Sequence, residues 1–287
     1  MAKKTKKSSH KLFKLLVCIA IAVFAWQYVQ EREQKSKNSK NSSTDEIRLE
    51  LAIPQFTKST KSQVIEHIGY TVSYNEQRRN PNWVAYELTG EEVDGTEPRG
   101  SKFIPDPDVI GRQAVDNDYK NSDGWDRGHH APAADMKWSK QAMDESFYLS
   151  NVSPQNSNLN SGVWKSIEEL TRDNAKKYGR ILVVTGPAFT SAEGLGSIGD
   201  NKVLIPNAFY KVLLAYDGGY TGIGFYCENV AGKKKLDHYA KSIDEIEEIT
   251  GIDFFPRLPD EIETSIESKF DWDDWKTEQN KNTKSKK

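Results

Sequence analysis

At 287 residues, 36% hydrophobic and 29% charged, the chain has room for one large globular domain or two small ones with exposed tails. Its two cysteines, Cys18 and Cys227, lie far apart, which excludes a disulfide scaffold but not export. The net charge of −2 is unevenly spread: residues 1–44 hold ten Lys/Arg against two acids, and the remaining 243 hold 30 against 40. A body this acidic must concentrate its basic groups locally to grip nucleic acid, or bind it weakly at physiological salt.

The N-terminus begins with Lys3, Lys4, Lys6, Lys7, Lys11 and Lys14, and an apolar run follows from Leu15 to Val29, broken by Gln27. Counted from residue 12, its 18 residues span ~27 Å as a helix, close to the hydrocarbon thickness of a bilayer. Trp26 and Tyr28 suit the far interface, and the lysines set residues 1–11 on the cytoplasmic side. A signal-anchor over 12–29 is therefore expected, holding the domain outside the cytoplasm (periplasmic or extracellular). The alternative is a secreted protein after signal cleavage, although small-residue cleavage patterns are poor here. Residues 30–46, rich in Lys, Ser, Asn and Glu, read as a flexible linker.

Ile47 to Tyr70 looks irregular. Trp83 to Leu88 has strand composition, closed by Thr89-Gly90, and Pro98 to Pro107 reads as loop. Phe147 to Val152 predicts a strand. Ser161 to Tyr178 has helical spacing, with Val163, Trp164, Ile167 and Leu170 on one face and Gly179 as C-cap. Arg180 to Thr185 predicts a buried strand. Ala208 to Tyr216 and Tyr220 to Cys227, joined by Asp217-Gly218-Gly219, predict a hairpin. Ser242-Ile243-Asp244-Glu245 is a capping box opening a helix that stops before Gly251. The domain is expected to span 47–276, with a disordered tail over 277–287. Strands and helices mix without βαβ alternation, which predicts an α+β fold.

Asp126-Arg127-Gly128-His129 supplies a cation for phosphate, a glycine that lets backbone approach, and an imidazole able to take a proton at neutral pH. These are parts of a phosphodiester hydrolase if a metal supplies the remaining charge. The stretches Phe147 to Gln155 and Leu159 to Trp164, with Ile167-Glu168-Glu169-Leu170, follow. Together with Arg99, Phe103 to Pro107 and Val183 to Pro187, the chain resembles the DNA/RNA non-specific endonuclease family over roughly Ile65 to Pro259. That resemblance implies a ββα-metal (His-Me finger) domain, with a central, mostly antiparallel sheet flanked by helices.

The family match implies His129 as general base, and an imidazole pKa near ~6.5 suits that role. His130, its neighbour in an extended segment, must face the other way and reads as a supporting or surface residue. His10, His67 and His238 carry no such context. The match makes Asn160 the metal ligand, since Mg²⁺, or Mn²⁺, accepts an amide oxygen and keeps most of its waters. Asn160 also reads as the N-cap of the helix after it, and the two roles are compatible. Glu168, eight residues on, lies about 80° from Asn160 around a helix. It is implied to hold metal-bound water, or else it pairs Arg172 at i+4. Arg99 would neutralise transition-state charge. Asn151 positions the site or satisfies strand-end backbone, and Asp126 and Arg127 shape it. No His-Glu-x-x-His helix, zinc-type cysteine cluster or Gly-x-Ser-x-Gly elbow occurs.

The expected function is metal-dependent, sequence-non-specific endonucleolytic hydrolysis of DNA and RNA. The alternatives are a phosphodiesterase on a smaller substrate and a membrane-tethered nucleic-acid-binding protein without catalysis. A homodimer and an inhibitor protein are left open as partners.

Overall fold

The computed structural model describes residues 48–276, except 121 and 233. The expected tail 1–11, span 12–29, linker 30–46 and tail 277–287 lie outside the described residues. Among the described residues no helix is long and apolar enough to cross a membrane.

In chain order the elements that matter are β1 (Gln63–Glu66), β2 (Thr71–Asn75), β3 (Asn80–Thr89), β4 (Trp125–His129), β5 (Val152–Asn156), α1 (Lys165–Tyr178), β6 (Arg180–Ala188), β7 (Ala208–Tyr216), β8 (Tyr220–Glu228), β9 (Ala240–Lys241), α2 (Ile243–Thr250) and α3 (Asp260–Glu267). Seven strands form one sheet in the order β9-β8-β7-β6-β3-β2-β1, with every neighbour antiparallel. Strands β4 and β5 pair apart from it. This is an α+β fold, as expected.

Strand β6 lies at the centre of the sheet and is buried from Ile181 to Ala188. Its side chains alternate between two cores, as a period of two requires. Ile181 and Val183 join Leu213, Ala215 and the α1 residues Ile167, Leu170 and Ala175. Leu182 and Val184 join Val212, Leu214 and the helix residues Ile243, Ile246 and Ile266. The sheet is therefore a middle layer, with α1 on one face and α2 and α3 on the other. Fully burying one such aliphatic side chain stabilises the fold by about 1.5–3 kcal/mol.

The hairpin closes on Tyr216 opposite Tyr220, with Gly218 at φ 70° in the turn. The capping box forms as read: Ser242 Oγ accepts from the Glu245 amide at 3.2 Å, and Glu245 Oε2 accepts from the Ser242 amide at 2.9 Å. Gly251 ends α2 in the left-handed region.

Three expectations need correction. The irregular stretch Ile47–Tyr70 contains β1 and the pair Gln55–Phe56, whose partner is Ile252–Asp253. Pairing that distant leaves no local signal. The strand expected over Phe147–Val152 is instead a turn through Leu149–Asn151, and β5 starts at Val152. The Asn151 carboxamide donates to the carbonyls of Ala131 and Ser146 and accepts from the Ala131 amide, so side-chain bonds replace a ladder there. Finally, the helix expected from Ser161 begins at Ser157, capped by Asn156, whose Oδ1 accepts from the amides of Asn158 and Leu159. It widens at Asn160–Trp164, where Gly162 leaves helical geometry, before running on as α1.

Candidate active site

The motif Asp126-Arg127-Gly128-His129 is β4 itself, paired in register with β5 from Trp125 opposite Asn156 to His129 opposite Val152. Because β5 leads straight into the helix at Ser157, strand, strand and helix form one ββα unit. Gly128 is needed for its tightness, since a Cβ there would meet Gln155 Oε1 at 2.4 Å.

Six of the seven expected site residues line one cavity of about 590 Å³: His129, Asn160, Asp126, Arg127, Arg99 and Glu168. The seventh, Asn151, is not on its wall; it is fully buried and ties Ala131, just beyond the histidines, to Ser146. Asn151 thus ties down the backbone just past the end of β4.

The His129 ring sits between Phe103 and Phe147, with centroids 5.1 and 5.2 Å away. Its Nε2 is buried without a hydrogen-bond partner in the protein. Burial, then the nearby Arg99 charge, pushes its pKa down to about 3. The imidazole is therefore neutral at pH 7, the form that accepts a proton. His130 points the opposite way, as extended backbone dictates, but it is interior and not at the surface. It is fully buried, bonds Ser153 Oγ at 2.8 Å and packs on Phe209.

Asn160 is not the N-cap; Asn156 has that role. The Asn160 Nδ2 instead donates to Asp126 Oδ2 at 2.9 Å, while Asp126 Oδ1 accepts from Ser157 Oγ at 2.7 Å. Committing the amide nitrogen to Asp126 leaves the carboxamide oxygen for the cavity, and that is the atom a hard cation takes. Arg127 is held by Asp116 at 2.7 Å and stacks between Phe103 and Tyr119. Exposed Arg99 reaches over the Phe147 ring at 5.4 Å, on the same side chain that walls His129.

Glu168 feels the charge of Arg172, but the close ion pair of Arg172 is with another carboxylate. Arg172 bonds Asp135 Oδ1 at 2.9 Å, and the Tyr86 hydroxyl donates to Asp135 Oδ2 at 2.8 Å. Burial raises the Glu168 carboxyl, opposed first by the charge of Lys211. Lys211 and Asp135 are the site residues that sequence reasoning missed. Lys211 is fully buried in β7, with its ammonium donating to the His130 carbonyl at 3.4 Å and lying 5.4 Å from the Trp164 ring centroid. Burial lowers its pKa, while Glu168 and Asp135 hold it up. The available signal was a lone lysine in the apolar run Ala208 to Tyr216.

His67, read as bland, belongs to a second group with ligand-type atoms. His67, Asp106 and Asp108 lie within 4.8 Å of one another and could hold a metal. Asp106 already accepts from Ser150 Oγ at 2.5 Å and from the Asp108 amide, and its Oδ2 lies 2.9 Å from His67 Nε2.

With this geometry in hand, a model of the family described as DNA/RNA non-specific endonuclease matches residues 48–261. The chain belongs to the DNA/RNA non-specific endonuclease family. It is 35% identical over 215 residues to Nuclease EXOG, mitochondrial, of Xenopus laevis, covering 69% of this chain and 60% of that relative. Endonuclease G, mitochondrial, of Bos taurus is 35% identical, covering 69% of this chain and 70% of its own. Nuclease C1 of Cunninghamella echinulata var. echinulata is 34% identical, covering 69% and 85%. The chain spans less than two thirds of the EXOG relatives' own length. A solved structure described as the EndoG/EndoGI complex superposes with a TM-score of 0.67 at 26% identity, covering 75% of this chain and 92% of the other. That family member is described together with its inhibition.

The family comparison corrects the expected location. Relatives from frog, cattle and fission yeast carry mitochondrial names, which overturns the membrane-anchored, extracytoplasmic placement and with it the membrane as a partner. The physical reason is that a basic head on an apolar run serves several targeting routes, so charge bias alone did not select the compartment.

Proposed function

We propose that residues 47–276 form a metal-dependent endonuclease domain that hydrolyses phosphodiester bonds of DNA and RNA with little sequence preference. One observation carries this reading: His129 from a strand and Asn160 from the adjoining helix line the same cavity. His129, neutral and with an unpartnered nitrogen, takes the proton of the attacking water. Arg99 offers its guanidinium to the phosphate oxygens. Arg127, fixed by Asp116, and Asp126, fixed on Asn160, keep the wall in shape. Glu168 accepts hydrogen bonds from water in the cavity.

The donor set fits a hard divalent cation, Mg²⁺ or Mn²⁺, held through the Asn160 carboxamide oxygen that Asp126 orients. When bound, such a cation supplies positive charge to the phosphate and its leaving oxygen. Phosphate contacts carry no base information, which accounts for weak sequence preference.

The acidic balance beyond residue 44 favours a second reading, a phosphodiesterase on a smaller substrate. Against it, the cavity wall carries four basic residues, Arg99, Arg127, Lys165 and Arg172, and two acidic ones, Asp126 and Glu168. Arg127, Lys165 and Arg172 are each ion-paired, with Asp116, Glu169 and Asp135, but the wall itself carries more basic than acidic side chains, which suits a polyanion. Plasmid nicking with and without Mg²⁺ tests both. The expected outcome is nicking that requires the metal and falls by ~10³ in His129→Ala, within the range of general-base catalysis. Undiminished nicking by that variant would remove His129 from the reaction. DNA binding without cleavage would mark a non-catalytic binding protein.

A further inference from the structure

The sheet face opposite α1 carries acidic side chains that the reaction does not use. Strand β8 presents Gly222 and Gly224 where helices cross it. A Cβ on Gly222 would meet Ile243 at 2.7 Å, and one on Gly224 would meet Ile246 at 2.4 Å. The missing side chains let the helices settle onto the strand, with Ile243, Ile246 and Ile266 in the buried contact. This close packing also brings the polar edges of α2 and α3 together. Asp244, Glu247 and Glu267 each offer one oxygen, all within 4.8 Å of one another. None of the three lines the active-site cavity.

Like charges this close need a reason. Glu267 is only 6% exposed, and its Oε1 is buried with no hydrogen-bond partner. A buried, unsatisfied carboxylate oxygen is costly unless something outside the protein completes it. Glu247 is held in position by the Phe254 amide, which donates to its Oε1 at 2.7 Å. Burial, then neighbouring carboxylates including Glu263 and Asp253, pushes Glu267 up to about 9. Burial also pushes Glu247 up to about 7.

We propose that Asp244, Glu247 and Glu267 form a structural site for a hard divalent cation of the calcium type, which ties α2 to α3. The donors are all carboxylate oxygens, the ligands such cations select. Three protein carboxylates also exceed what magnesium ordinarily takes, since that ion keeps several waters and binds through one or two. Exposed Asp244 leaves the outer side open to the waters that calcium's six to eight ligands require.

The test uses the full-length chain, stripped with a chelator and titrated with calcium chloride by calorimetry, alongside thermal unfolding. Wild type and Asn160→Ala are both expected to bind one calcium at this site and to gain in Tm. Glu267→Gln and Asp244→Asn should lose that equivalent or bind it at least tenfold more weakly, while nicking in Mg²⁺ stays at the wild-type level. Calcium uptake unchanged in both variants would overturn the site, as would a wild-type protein that takes up no calcium at millimolar concentration. Should Glu267→Gln fail to fold, Asp244→Asn, altered at an exposed side chain, decides. Loss of nicking in Asn160→Ala bears only on the nuclease reading, so the two proposals fail separately.

Discussion

The two faces of the sheet handle buried charge in different ways. On the α1 face, Lys211 and Arg172 sit among Glu168 and Asp135, and protein cations answer protein anions. On the α2–α3 face, every neighbouring group resolved as acting on Glu267 is another carboxylate. Alternate residues of the same central strands serve both faces, so the contrast does not come from separate folding units. A buried ion survives only when compensated, from within the chain on one side and by a bound cation on the other.

Breaking the internal compensation should have the largest effect. Lys211→Met leaves Glu168 and Asp135 short of a cation and is expected to cost ~3–5 kcal/mol in urea unfolding at pH 7. Adding Glu168→Gln should recover most of that loss in a double-mutant cycle. Additive losses would mean that the two groups do not compensate each other. A smaller effect is expected from Asp126→Ala, which frees the Asn160 amide. The Mg²⁺ concentration for half-maximal nicking should rise ~10–100-fold, as for other groups that orient a metal ligand. An unchanged requirement would detach Asp126 from Asn160. Ser242→Ala, which opens the capping box of α2, should cost ~1 kcal/mol and weaken calcium uptake with it.

The smallest and sharpest contrast is in the pH dependence of stability. The His129 pKa is lowered on folding, so the unfolded chain binds its proton first as pH falls. Stability from this group is lost between pH 6.5 and about 3, and His129→Ala should flatten that limb. Glu267 and Glu247 are raised on folding, so the native state keeps protons that the unfolded chain releases. Without calcium, stability from these groups falls as pH rises from about 4.5 toward 9. Glu267→Gln or added calcium should flatten that second limb. Urea midpoints across pH check both slopes, and slopes of the same sign would contradict the comparison.

Much of the site was legible because its parts are close in sequence. His129, Asn160 and Glu168 lie on consecutive pieces of one ββα unit, and a motif with a short spacing suffices to bring them together. Arg99 arrives by a loop, and its role, like those of Asn160 and Glu168, was readable only through resemblance. Lys211 and Asp135 were not readable, because what makes each of them matter is a partner 37 residues away or more, as Arg172 is from Asp135 and Glu168, at 43, from Lys211. The turn at Leu149–Asn151 escaped notice for a related reason: its apolar run has strand composition, and the competing bonds come from one asparagine reaching back to Ala131.

By itself, the amino-acid order determined the central strand, the β7–β8 hairpin, the capped helix α2, the α+β class and the motif histidine. The histidine rests on the family motif; the others depend on periodicity, turn chemistry or capping within a few residues. Only the tertiary structure decided which charges are answered and by what. It paired Arg172 with Asp135 instead of Glu168, set Lys211 behind the cavity, and drew three carboxylates together over two glycines of β8. Compensation of charge acts through space and over a few ångströms, and its partners are chosen by packing, whatever their distance along the chain.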